Sequence, residues 1–165
     1  PALPPPLLRE AGDRAMRELA SRESLTAVAT RSAVLLDDAA MLALALSRGA
    51  GPALTTAIRN AARSFDPVQG SFLLETAVAL APPQTASLVL AQFGPDLLDH
   101  APSLELIFDL LPHPELGASA ALVLARSGRP DILEQLQSIA AGDDLAASGR
   151  ARLALDAASS LGRAQ

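Results

Sequence analysis

Leu122-Val123-Leu124-Ala125-Arg126-Ser127-Gly128-Arg129-Pro130-Asp131-Ile132-Leu133 repeats Leu88-Val89-Leu90-Ala91-Gln92-Phe93-Gly94-Pro95-Asp96-Leu97-Leu98. The two match once Arg129 is taken as a one-residue insertion. A weaker copy, Leu42-Ala43-Leu44-Ala45, leads to Gly49, Gly51, Pro52 and Leu54. From 42 to 88 and from 88 to 122 the copies start 46 and 34 residues apart. In each, an apolar helical run meets a glycine stop and then a proline, which opens a helix without loss because its missing N–H would be unpaired there anyway. Two short helices cannot bury their apolar faces alone, so repeated pairs must stack on their neighbours.

Helical periodicity and punctuation extend this pattern in both directions. Leu8, Ala11, Ala15 and Leu19 share one face of a helix expected over 7–22. Its other face carries the i,i+4 pairs Glu10–Arg14, Asp13–Arg17 and Glu18–Arg22, each of which would add a few tenths of a kcal/mol. Further helices are expected over 25–36, from Asp38 to the stop at Gly49-Ala50-Gly51, 52–64, 67–81 with Asp66 as cap, 83–93, 95–100, 103–111, 114–127, 130–141 and 144–161. Pro1-Ala2-Leu3-Pro4-Pro5-Pro6 reads as a proline-rich linker or chain-boundary segment, and 7–165 as a single helical-repeat domain.

Composition agrees. Of 165 residues, 35 are Ala and 31 are Leu, the strongest helix formers, and aromatics make up 2%. Cysteine is absent, which excludes a disulfide framework, a thiolate metal site and a cysteine nucleophile. All 13 basic residues are Arg, which excludes Schiff-base chemistry and a phosphate-loop lysine. A net charge of −5 argues against a general nucleic-acid binder. The uncharged stretch from Thr76 to Pro95 has the length of a membrane span, but Pro82-Pro83 breaks it into two helices. The expected chain is acidic, soluble and all-α. The composition leaves the compartment open, with a bacterial cytoplasm favoured and the periplasm expected if a signal sequence was removed.

From Pro114 to Leu161 the chain resembles HEAT-like repeats, the helical pairs of α-solenoids. The resemblance rests on the Ala-rich run Ala118 to Ser127, the turn Gly128-Arg129-Pro130-Asp131, the helix from Ile132 to Leu136, and Asp143-Asp144 followed by Arg150. It implies a right-handed α-solenoid of about four to five antiparallel helix pairs, with Pro130 at the turn. It also implies structural roles for Asp143 and Arg150 in hydrogen-bonded ladders between repeats. His100-Ala101-Pro102 and Pro112-His113-Pro114 depart from the pattern and imply a shortened or skewed pair there.

The chemistry-bearing residues are few. His100 and His113 sit beside prolines at helix ends, 13 residues apart, which fits no compact metal motif. Asp37-Asp38 and Asp143-Asp144 precede helices and read as caps. Phe65, Phe72, Phe93 and Phe108 read as gap fillers between Ala-rich helices. No Gly-x-Ser-x-Gly elbow occurs, and Gly49-Ala50-Gly51 follows no strand.

These residues favour a non-enzymatic scaffold that binds a protein through the concave face or an exposed end of the stack, with no cofactor or metal. Contact residues are expected on second helices: Thr55, Thr56, Arg59 and Arg63, then Asp99, then Glu134, Gln135 and Gln137. An open end would also allow pairing with a second copy. One alternative is an enzyme using Glu75, Glu105 or Asp109 as acid or base. Another is an anionic-ligand or nucleic-acid module, which needs Arg14, Arg17, Arg59 and Arg63 on one face.

Overall fold

The computed structural model of the chain describes residues 4–18, 23–47 and 52–162. Among them the backbone forms ten α-helices and one short 3-10 helix, with no strand. The helices are α1 (Pro5–Glu18), α2 (Glu23–Leu35), α3 (Ala39–Leu46), α4 (Pro52–Ala61), α5 (Pro67–Leu80) and α6 (Pro83–Phe93). The 3-10 helix, Gly94–Leu97, comes next, followed by α7 (Ala101–Asp109), α8 (Gly117–Arg126), α9 (Pro130–Ala140) and α10 (Leu145–Gly162). None of the described helices is long and apolar enough to cross a membrane. The expected stop at Gly49-Ala50-Gly51 and the residues Leu19 and Arg22 lie outside the described residues.

Several boundaries move for local reasons. Helix α1 starts at Pro5, inside the segment expected to be a linker, because proline is tolerated in a first turn. The expected helix over 95–100 is only the 3-10 helix Gly94–Leu97. Pro114 opens a turn, and α8 begins at Gly117. Helix α4 ends at Ala61, so Arg63 lies in the following turn, where its N–H donates to the Asn60 carbonyl at 3.1 Å.

The chain divides into two compact units, Pro1–Phe93 and Gly94–Gln165. In the first, α1, α3 and α5 pack in one row and α2, α4 and α6 in another. The rows meet where α1 and α3 pack on α2 and where α5 packs on α6. Leu42, Leu46, Leu54, Ile58, Leu73, Leu74 and Leu90 are fully buried, and Ala29, Ala33, Ala45, Ala61 and Ala77 lie between them. The small alanines let helices approach closely. In the second unit α10 packs along both α8 and α9, while α7 and α8 pack on the 3-10 helix. Leu97, Ile107, Leu111, Leu124 and Ile132 fill that core.

Tight turns hold the first unit. Helix α2 ends in a Schellman motif: the Asp38 N–H donates to the Ala33 carbonyl at 2.8 Å and the Asp37 N–H to the Val34 carbonyl at 3.3 Å. Asp38 is at the same time the N-cap of α3, its Oδ1 accepting from the Met41 N–H at 3.0 Å. Its Oδ2 accepts from Arg9 at 2.7 Å, which ties α1 to this turn. Arg9 therefore makes a long-range pair, while the expected Glu10–Arg14 pair is not formed. Asp66 and Gln69 form a reciprocal capping box on α5, and the Gln69 amide also donates to the Asp37 carbonyl at 3.1 Å.

Asp37 adopts φ 49°, in the left-handed region where a Cβ is penalised. Asp37→Gly removes that penalty without touching its backbone hydrogen bonds. It is expected to stabilise the protein by about 0.5–1 kcal/mol in urea unfolding, and an unchanged or lower midpoint would contradict the account.

Candidate functional site

Among the described residues, three concave regions bring chemistry-bearing residues together, one in the first unit and two in the second. The largest is a groove of about 580 Å³ between α2 and α4. Thr30, Arg31, Val34 and Leu35 of α2 line one side, and Pro52, Thr56, Ala57 and Asn60 of α4 the other. The punctuation of the sequence explains its placement. Pro52 opens α4 and leaves residues 52, 56 and 60, one helical turn apart, on a single outer edge. The Thr56 hydroxyl donates to the Pro52 carbonyl at 2.9 Å. Arg31 is exposed and forms no ion pair among the described residues.

In the second unit a recess of about 360 Å³ is lined by Ala101, Leu104, Glu105, Phe108 and Asp109 of α7 and by Gln135 of α9. The i,i+4 spacing sets Glu105 and Asp109 one above the other. The floor is apolar and the rim acidic, an arrangement that can accept a hydrogen-bond donor or a cation. Among the described residues the lining holds no imidazole and no hydroxyl nucleophile.

The smallest recess, about 220 Å³, surrounds Arg129. Its guanidinium donates to the Leu98 carbonyl at 2.9 Å and to Asp99 at 2.7 Å. It also grips both carboxylate oxygens of Asp131, at 3.2 and 2.6 Å. That hydrogen-bonded fork holds the Asp131 carboxyl below its usual range and raises Arg129 further.

The expected site residues therefore divide. Thr56 lines the α2/α4 groove. Thr55 is half-buried, and Arg59 and Arg63 are exposed outside the lining. Asp99 is held by Arg129, and Gln135 joins Glu105 and Asp109. Glu134 and Gln137 are exposed on α9. Glu75 lies on α5 in the first unit, accepting from the Ser71 hydroxyl at 3.1 Å. Arg14 is exposed on α1, and the Arg17 side chain lies outside the described residues. Phe93 and Phe108 are buried as expected, but Phe72 is 45% exposed. Sequence reasoning missed Arg31, Asn60 and Arg129, although the insertion at Arg129 marked a turn unlike its counterpart.

Asp143 and Arg150, expected in inter-repeat ladders, are not bonded to each other. Asp143 is exposed, and Asp144 alone caps α10, accepting from the Ala146 and Ala147 N–H groups at 2.9 and 3.0 Å. Arg150 instead donates to the carbonyls of Leu111, at 2.5 Å, and Pro114, at 3.0 Å. Leu111 is fully buried, so no water can replace that donor. The guanidinium passes over Gly117, where a Cβ would collide with Arg150 Nη1 and the Leu111 carbonyl.

The histidines hold turns. Nδ1 of His113 accepts from the Glu115 and Leu116 N–H groups at 3.2 and 3.1 Å, and Nδ1 of His100 meets the Ser103 hydroxyl at 2.9 Å. Among the described residues no cluster of three or more His, Asp or Glu could hold a metal ion. No family model, curated protein or solved structure matches the chain.

Arg150→Met leaves the Leu111 carbonyl without its donor and is expected to cost about 2–3 kcal/mol in urea unfolding. Gly117→Ala displaces the same guanidinium, so the two losses should be strongly non-additive in a double-mutant cycle. Asp131 has a lowered folded-state pKa, so its contribution to stability is present above the unfolded value of about 3.9 and is lost as pH falls through the folded value. Asp131→Asn should therefore flatten the acid limb of the stability profile below about pH 4, and an unchanged limb would contradict the assignment.

Proposed function

We propose that the chain is a non-enzymatic protein-binding module built as a HEAT-like α-solenoid. The second-row helices α2, α4 and α6 provide the docking face. Support for the solenoid comes from residues 4–93, where alternate helices pack in two rows. The internal repeat in the sequence is consistent with it. Pro130 and Arg150 then act as structural residues, one opening α9 and the other binding the α7–α8 connection.

The observation that carries the binding role is the α2/α4 groove. Its walls are helical and laterally supported, so its side chains lose little freedom when a partner docks. Leu35 is 60% exposed and Val28 42% exposed on the same helix, apolar surface that docking would remove from water.

Site-specific photo-crosslinking in cells of the source organism tests this reading. A benzophenone side chain at Thr56, on the groove wall, is expected to give a discrete protein adduct, and one at Asp13, on the exposed face of α1, is expected to give none. Adducts at Glu134 alone, or no adduct at any of the three positions, would overturn the assignment of the second row.

A further inference from the structure

The charge and spacing along the α2/α4 groove specify more than a generic partner. Arg31 and Leu35 line the groove, and Val28, exposed on α2 but not part of the lining, completes an i, i+3, i+7 pattern with them. This places a cation between two apolar side chains on one helix face. Among the described residues none that lines the groove is acidic, although the chain as a whole carries a net charge of −5. On the opposite wall Asn60 offers a neutral amide, while the Thr56 hydroxyl proton is already committed to the Pro52 carbonyl. A carboxylate entering here meets Arg31 and Asn60 as donors and no acid among the described lining residues.

The spacing also selects the conformation of the occupant. Seven residues of helix advance about 10 Å between the two apolar positions. A second helix lying antiparallel matches that distance with its own i and i+7 residues, leaving i+4 opposite the cation. An extended strand, at about 3.3 Å per residue, covers the distance in three residues, and those two side chains then point to opposite faces.

Building on the protein-binding reading above, we propose that this groove receives an amphipathic helix of a protein partner. Its docking face presents an aliphatic side chain, a carboxylate and a second aliphatic side chain at i, i+4 and i+7. Arg31 pairs with the carboxylate, while Leu35 and Val28 cover the flanking aliphatics. The carboxylate fixes register and sign, and the apolar pair supplies the burial.

The test uses the full chain and a fluorescein-labelled, end-capped 14-residue peptide of alanine and glutamine with leucine at i and i+7 and glutamate at i+4. Fluorescence anisotropy is expected to show saturable binding that weakens about tenfold when the glutamate is replaced by glutamine. Arg31→Glu should weaken the glutamate peptide at least about tenfold and let the matching arginine peptide bind instead. Arg63→Glu makes the same change in net charge outside the groove and should leave affinity unchanged, with circular dichroism confirming that each variant is helical. Equal binding of the glutamine peptide, indifference to Arg31→Glu, equal loss with Arg63→Glu, or no saturation by about 1 mM would each overturn the proposal. A partner adduct at Thr56 together with charge-indifferent peptide binding would remove only this inference, whereas absence of adducts removes the reading beneath it.

Discussion

Hydrogen bonds from arginine side chains to main-chain carbonyls hold the second unit together. Every helix ends with four carbonyls that have no partner within it, and short helices make such ends frequent. In residues 94–162, three guanidinium groups meet this demand. Arg150 takes the carbonyls of Leu111 and Pro114, Arg129 takes that of Leu98, and Arg152 takes that of Ala140 through both Nε and Nη2 at 3.2 and 2.8 Å. The planar fork suits this task better than an ammonium would, because several N–H donors leave one rigid group in fixed directions. Arg152 also places its charge at the negative end of the α9 dipole. The apolar core alone cannot set these junctions, since burial is non-directional.

The first unit solves the same problem with acids and amides. Asp38 closes the turn after α2, caps α3 and receives Arg9, while Gln69 completes the α5 cap and reaches back to the Asp37 carbonyl. Four helices are tied through a few residues, so their relative positions depend on one tight turn. That turn also sets where α2 stops and so which α2 side chains face α4 across the groove. The α2/α4 groove thus depends on the backbone chemistry of a turn that one helix, α3, separates from α4 in the chain.

Much of the architecture was legible because its signals are local. Proline openings at 52, 67, 83 and 130 and caps at Asp38, Asp66 and Asp144 each depend on a few adjacent residues, and the helices begin where those residues put them. The candidate site was less legible because its geometry is non-local. Thr56 could be singled out as a polar residue on a second helix, but its neighbours Arg31 and Val34 lie more than twenty residues earlier. Glu105 and Asp109 were readable as a stacked pair, whereas their shared recess with Gln135 required the packing of α7 and α9. The carbonyl partners of Arg150 lie 36 and 39 residues earlier, so no local pattern could point to them.

The two repeat copies show how one residue changes what a shared pattern builds. In the first copy Phe93 runs directly into the 3-10 helix, and Gly94 keeps a negative φ. In the second copy Ser127 closes α8 on the Leu124 carbonyl, Gly128 turns at φ 62°, and Arg129 stands before Pro130 in an extended conformation. Proline disfavours the helical region for the residue before it, so an inserted residue there must leave the helix. The chain can then turn only where a left-handed residue is allowed, which Gly128 supplies. The guanidinium projected from that turn reaches Leu98 and Asp99, some thirty residues earlier, and clasps Asp131 beside it. Similar helix–glycine–proline sequences thus lead to a 3-10 helix in one place and to an ion-paired turn in the other, with the difference traceable to Arg129.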